Sequence, residues 1–159
     1  DSIISQIESL ETIADSYGLE LNHIKAHGAL YNQMIVDTEL SNFYLNTIKD
    51  FKNKCSLYIP YKSEIEKIAL KKGFSIIYEV FGDRNYNDDL SLVSRNNENA
   101  LITDPESVVN HIKTIKETET VKTINGNYKK IKFDTICIHS DTNNSIEILK
   151  KINQEFDES

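Results

Sequence analysis

Ile3, Ile7, Leu10, Ala14 and Tyr17 recur at spacings of three and four, which places them on one face and predicts a helix over residues 2–17. Gly18 follows as a left-handed cap. Leu21 to Lys25 is a short apolar strand, followed by a polar turn around His27 and Gly28. Leu40, Phe43, Tyr44 and Ile48 mark a second helix. Ser56 to Ile59 is a second strand, stopped by Pro60. Ile65, Ile68 and Ala69 mark a third helix, ended by Lys71, Lys72 and Gly73, and Ser75 to Val80 is the third strand. From Phe81 to about Thr103 periodicity disappears and Asp, Asn, Ser and Arg dominate. An irregular stretch of roughly 20 residues is uncommon in a compact domain and is more often functional than idle. Asp104-Pro105 is a strong helix start, with Asp as N-cap and Pro at the first helical position. Val108, Val109, Ile112 and Ile115 form that helix's apolar face. Asn125-Gly126 predicts a two-residue type I′ hairpin turn within Val121–Ile131. Phe133 to Ile138 is the last strand, and Ile146, Leu149 and Ile152 mark a closing helix.

Strands and helices alternate, and the strands are apolar on both faces. That is the pattern of parallel βαβ units in an α/β fold. In such sheets chemistry gathers at the carboxyl ends of the strands.

Composition narrows the function classes. The 159 residues suit one ordinary domain, and 39% hydrophobic residues with 27% charged is too apolar for a disordered chain. A formal net charge of -7 supplies no footprint for nucleic acid, and the lysines are too scattered to favour an anionic membrane surface. No apolar run approaches the roughly 20 residues of a membrane span. Cys55 and Cys137 each sit in a short apolar run, which fits two reduced thiols and predicts a cytoplasmic location. The chain opens on Asp1 rather than Met, so the natural start is expected upstream.

Three strand ends carry reactive types: His23-Ile24-Lys25-Ala26-His27-Gly28, Glu79-Val80-Phe81-Gly82-Asp83-Arg84, and Cys137-Ile138-His139-Ser140-Asp141-Thr142. In a parallel sheet these ends share one side, so groups distant in sequence can meet. A single strand-end histidine is more often a packed, hydrogen-bonded residue; three such ends together favour a site. Of the five glycines, Gly28 and Gly82 flank candidate site residues, where a missing Cβ lets backbone approach a ligand or simply permits a tight turn. The only arginines among 18 basic residues, Arg84 and Arg95, both fall in the irregular stretch. Their planar fork grips carboxylate or phosphate, or pairs with Asp83, Asp88 or Asp89 to brace the loop. His27, His139, Asp83 and Asp141 are metal-ligand types, but their spacing matches no zinc motif and no metal is assigned. The chain has neither a P-loop nor a G-x-G-x-x-G.

These strings resemble a known family. HIKAHGALYN, from His23 to Asn32, is similar to the V-K-P-H-G-A-L-Y-N signature of the family of 5-oxoprolinase A subunits, also called LamB/YcsF. EVFGDRNY, from Glu79 to Tyr86, resembles its E-x-F-A-D-R-x-Y, and DLSLVSR, from Asp89 to Arg95, its D-G-x-L-V-x-R. DTICIHSDT, from Asp134 to Thr142, resembles D-T-I-C-V-H-G-D-T. The four strings occur in the family's order over nearly the whole chain.

The resemblance implies a seven-stranded, deacetylase-like (β/α) barrel. The family's first third, with its N-C-D-x-G-E, G-x-H-A-G-D and G-A-H-P motifs, is absent here. Residues 1–159 are therefore expected to be the C-terminal part of one barrel domain, with its N-terminal strands missing and a sheet edge open. The implied activity is the ATP-dependent opening of 5-oxo-L-proline to L-glutamate, a cyclic amide hydrolysis carried out with partner subunits. Carried over by position, His27, Asp83, His139 and Asp141 are catalytic. Lys25, Asn32, Glu79, Arg84, Tyr86 and Arg95 bind substrate. ATP belongs to the complete complex. Ala26 stands where the pattern has proline, Gly82 where it has another small residue, and Leu90 and Ser140 where it has glycine. A non-catalytic remnant that keeps the fold and partner surface is the alternative, and a metal-dependent deacetylase-like hydrolase a further one.

Overall fold

The computed structural model describes residues 2–156 and divides between Tyr78 and Glu79 into two compact units.

The first unit begins with α1 (Ser2–Ser16), ended by Gly18 at φ +69° as its spacing predicts. β1 is shorter than expected, His23–Ile24. The expected polar turn after it is instead a six-residue helix, α2 (Gly28–Gln33), too short for a periodic signal. Then come α3 (Thr38–Thr47), a 3-10 turn (Lys49–Phe51), β2 (Ser56–Ile59), α4 (Glu64–Lys72) and β3 (Ile76–Phe81), which runs on into the second unit. Local chemistry sets the helix ends. Asp37 and Ser63 accept from the N–H groups of Leu40 and Glu66, and Gly73 takes the left-handed cap at φ +74°.

β1 pairs with β2 and β2 with β3, both in parallel, in the registers His23↔Ser56 and Leu57↔Ile76. β1 is the edge strand of this sheet. Ile24, Leu57 and Ile59 pack with Leu45, Ile48, Ile65 and Ala69 into the unit's core. α1 contributes only partly buried contacts from Ile3, Ile4 and Ile7. Leu10 and Tyr17, on the apolar face expected from the sequence, remain 56% and 77% exposed.

In the second unit the closing residues of β3 pair in parallel with β6 (Thr135–Cys137), in the register Glu79↔Thr135 and Phe81↔Cys137. Between them lie the long loop, α5 (Pro105–Thr118) and an antiparallel hairpin of β4 (Thr120–Lys122) and β5 (Tyr128–Lys130). α6 (Ser145–Phe156) follows. Asp104 caps α5 by accepting from the Ser107 N–H at 2.8 Å. Val108 and Ile112 of α5 and Ile148 of α6 form a core against Ile136 and Ile138.

The hairpin turn differs from the expected type I′. Thr123 N–H bonds Asn127 O and Gly126 N–H bonds Thr123 O, closing a three-residue loop. Gly126 has φ +82° while Asn125 is not among the positive-φ residues, and a type I′ turn requires both. The Asn125 side chain instead donates to Asp88, as do Thr123 and Asn127.

Candidate active site

Asp83 stands two residues past the end of β3 and His139 two residues past the end of β6. The Phe81↔Cys137 pairing sets these two strand ends side by side. The chain thus delivers a carboxylate and an imidazole side by side, 56 residues apart in sequence. Asp83 is fully buried. Its Oδ1 lies 2.9 Å from Nδ1 of His139, and its Oδ2 accepts from the His139 main-chain N–H at 2.9 Å and from Thr142 Oγ1 at 2.6 Å. The Phe81 ring stacks on that of His139, centroids 5.2 Å apart and 10° from parallel.

Burial pushes the Asp83 carboxyl up, and the bonds from His139 and Thr142 outweigh it, holding the group below its ordinary value. An ionised carboxylate only accepts, so Nδ1 of His139 carries a proton, and in the neutral ring the lone pair is then on Nε2. A quarter of the His139 side chain is exposed. A partly exposed imidazole oriented by a carboxylate on its other side is an arrangement that suits a general base.

The remaining second-unit residues fall into two groups. Arg84 is buried and its fork is occupied by loop carbonyls, Nη2 to Val93 O at 2.7 Å and Nε to Ala100 O at 3.3 Å. With Asn85 N–H to Ala100 O and Ile102 N–H to Asp83 O, it braces the irregular stretch around itself. The bracing role weighed in the sequence is the one these bonds supply, though with carbonyls rather than aspartates. Tyr86 is also buried; its hydroxyl accepts from the Phe81 N–H at 2.8 Å, and burial pushes the phenol well above its ordinary value. Glu79 is buried on the same strand face as Phe81. Arg95 and Asp141, in contrast, form an exposed fork, Nη1 to Oδ2 at 2.7 Å and Nη2 to Oδ1 at 3.4 Å. Through it the far end of the loop is tied two residues beyond His139. The bonds raise the arginine and hold the aspartate low.

Gly82 packs tightly against the core of its own unit. A Cβ there would lie 2.8 Å from Ile138 Cδ1 and 3.0 Å from Ile112 Cδ1, so the glycine makes room for the core between β3, β6 and α5. Leu90, where the family pattern has glycine, is held at φ +69°; Ser140 is not among the positive-φ residues.

Lys25, His27 and Asn32 belong to the first unit. His27 is the N-cap residue of α2, extended at φ −124° and exposed, and makes no capping bond. Lys25 Nζ lies 5.9 Å from the centre of the Tyr31 ring. A groove of about 490 Å3, lined by Ile7, Leu10, His23, Lys25, His27 and Leu30, runs beside them. His23 stacks on Tyr58 at 3.7 Å.

Residues not assigned from the sequence also matter. Thr142 closes the last motif string, a visible signal, yet its bond to Asp83 depends on the tertiary turn. His111, whose ring stacks on Tyr86 at 6.3 Å, carried no signal beyond its place on α5; burial lowers its pKa.

Three comparisons with known proteins bear on this geometry. The model of the LamB/YcsF family matches residues 1–159. The chain is 36% identical over 156 residues to the 5-oxoprolinase A subunit of Pyrococcus abyssi, covering 98% of this chain and 61% of that protein. It is 39% identical over 152 residues to the 5-oxoprolinase A subunit of Campylobacter jejuni subsp. jejuni, covering 95% and 59%. The crystal structure of the lactam utilization protein from Thermus thermophilus superposes with a TM-score of 0.86 at 27% identity, over 96% of this chain and 61% of that one. The chain therefore spans about 61% of the length of the first curated relatives it matches.

Proposed function

The chain belongs to the LamB/YcsF family, and from that membership we propose that it forms part of a 5-oxoprolinase A subunit, the part that holds the general base for opening a lactam ring. The observation that carries this reading is the Asp83–His139 pair at the ends of two parallel strands. We also propose that β1, β2, β3 and β6 are a sector of a (β/α) barrel completed by strands corresponding to the remainder of its relatives' length.

A lactam is a resonance-stabilised amide, and opening it needs an activated carbonyl and an activated water. In the complete assembly ATP would supply the first, through phosphorylation of the amide oxygen. The chain has no glycine-rich phosphate cradle, so that step is assigned to none of its residues. Nε2 of His139 takes the proton from water as the water attacks the ring carbon. Asp83 holds the ring in the required tautomer and stabilises the imidazolium that forms. Return of the proton from Nε2 to the departing ring nitrogen would break the C–N bond and leave a γ-glutamyl phosphate, which a second water would hydrolyse to glutamate and inorganic phosphate.

The test is formation of glutamate from 5-oxoproline by the full-length protein with its partner subunits, with and without ATP. ATP-dependent turnover that drops by two or more orders of magnitude on His139→Ala supports the reading, as removal of a general base costs about 100- to 10,000-fold. No glutamate from the wild-type assembly, or full activity in the variant, overturns it. One observation favours the second reading, a non-catalytic remnant: the left-handed Leu90 in place of the pattern's glycine. The same assay decides between the two.

A further inference from the structure

We propose that Thr142 is a positioning residue, its hydroxyl setting the orientation in which the Asp83 carboxylate holds Nδ1–H of His139; this rests on the general-base reading above.

The geometry divides the work of the carboxylate between its two oxygens. Oδ1 faces the imidazole at 2.9 Å, while Oδ2 receives the Thr142 hydroxyl at 2.6 Å and the His139 main-chain N–H at 2.9 Å. The hydroxyl bond is the shortest of these and comes from a residue 3% exposed. Nδ1 also lies 3.1 Å from Oδ2, so the imidazole already meets both oxygens, Oδ1 the nearer. The Thr142 hydroxyl on Oδ2 biases the carboxylate toward this orientation, in which Oδ1 is the main acceptor.

The position of the hydroxyl is itself fixed. Thr142 N–H donates to His139 O at 3.3 Å, so the histidine and the hydroxyl sit on one tight turn. Ser145 N–H then donates to Thr142 O as the chain enters α6. The branched Cβ restricts χ1 to few rotamers. The turn that presents His139 to Asp83 therefore also delivers a second donor to Asp83, a coupling held within the four residues 139–142.

Valine keeps the shape of threonine and removes the hydroxyl; serine keeps the hydroxyl and removes the methyl. The full chain labelled with 15N-histidine, with Thr142→Val and Thr142→Ser variants, separates them by the ring-nitrogen shifts of His139. The wild type and T142S are expected to show a single Nδ1–H tautomer, and T142V a mixture. In the assembled enzyme, T142V is expected to lower kcat on the order of ten-fold with KM unchanged, and T142S to restore it. Thr142→Ala is the second hydroxyl-free variant should T142V fold poorly. An unchanged tautomer in a folded hydroxyl-free variant, or T142S behaving like T142V, overturns the proposal. If the wild-type assembly opens no lactam while the tautomer still depends on the hydroxyl, the substrate reading falls and the positioning role stands.

Discussion

Nδ1 of His139 lies 2.9 Å from Oδ1 of Asp83, a carboxylate with no exposed surface. An anion buried this deeply is stable only because every bond it accepts favours its charged form. Burial raises its pKa, and the three bonds more than reverse this, leaving it below the ordinary 3.8. A carboxyl held low in the folded state contributes stability that is complete above its ordinary value and is lost as pH falls through the folded value. Acidification below about pH 4 should therefore lower the denaturation midpoint of the wild type more steeply than that of Asp83→Asn, which has no such group to titrate. Parallel pH profiles for the two proteins would show that the pair does not stabilise the fold.

Arg84 is expected to act on stability first. Its fork reaches Val93 O at 2.7 Å and Ala100 O at 3.3 Å. A lysine cannot span two diverging carbonyls. Arg84→Lys should cost about 1.5–3 kcal/mol, the range for a hydrogen bond to a charged group, with a matching fall in melting temperature. A variant of unchanged stability and impaired turnover would instead place Arg84 on the substrate.

Gly82→Ala tests the packing between β3 and its neighbours. The new methyl would meet Ile138 Cδ1 at 2.8 Å and Ile112 Cδ1 at 3.0 Å. Overpacking of this kind costs about 1–3 kcal/mol. Ile138→Val removes one of the two clashing methyls, so the double variant should be more stable than the sum of the single effects implies. Strict additivity in a denaturation cycle would contradict the contact.

Leu90 sets backbone strain against burial. Its φ of +69° costs a non-glycine residue about 1–2 kcal/mol. Its side chain, 8% exposed, returns about 1.5–3 kcal/mol from burial. Leu90→Gly loses the burial and relieves the strain, whereas Leu90→Ala loses most of the burial and keeps the strain. The glycine variant should therefore be the more stable of the two, the reverse of the usual order. Melting temperatures in the usual order, alanine above glycine, would refute the account.

Local signals carried most of the elements in this chain. The Asp104-Pro105 start of α5, the Gly18 and Gly73 stops and the Ser56–Ile59 strand depend on nearest neighbours along the chain, and each stands where its residues place it. The candidate residues were legible for a related reason: strand-end His, Asp and Arg break an apolar run, and such breaks are visible in one dimension. The α2 helix escaped because six residues are too few to display a period. The hairpin escaped because Asn125 bonds Asp88, 37 residues away, and a distant acceptor outcompetes local turn preference.

What the sequence determined by itself was the class of fold, the alternation of elements and the set of polar groups at the strand ends. Tertiary structure alone decided which of those groups meet. Register placed Phe81 opposite Cys137 and so brought Asp83 to His139. The folded loop gave the Arg84 fork carbonyls to hold, and a turn set Thr142 against Asp83. The physical reason is the range of the forces involved. Propensities, caps and periodicity act over a few residues, whereas a carboxylate's partners are chosen by whatever donors the packed strands bring within about 3 Å, and no pattern along the chain records that distance.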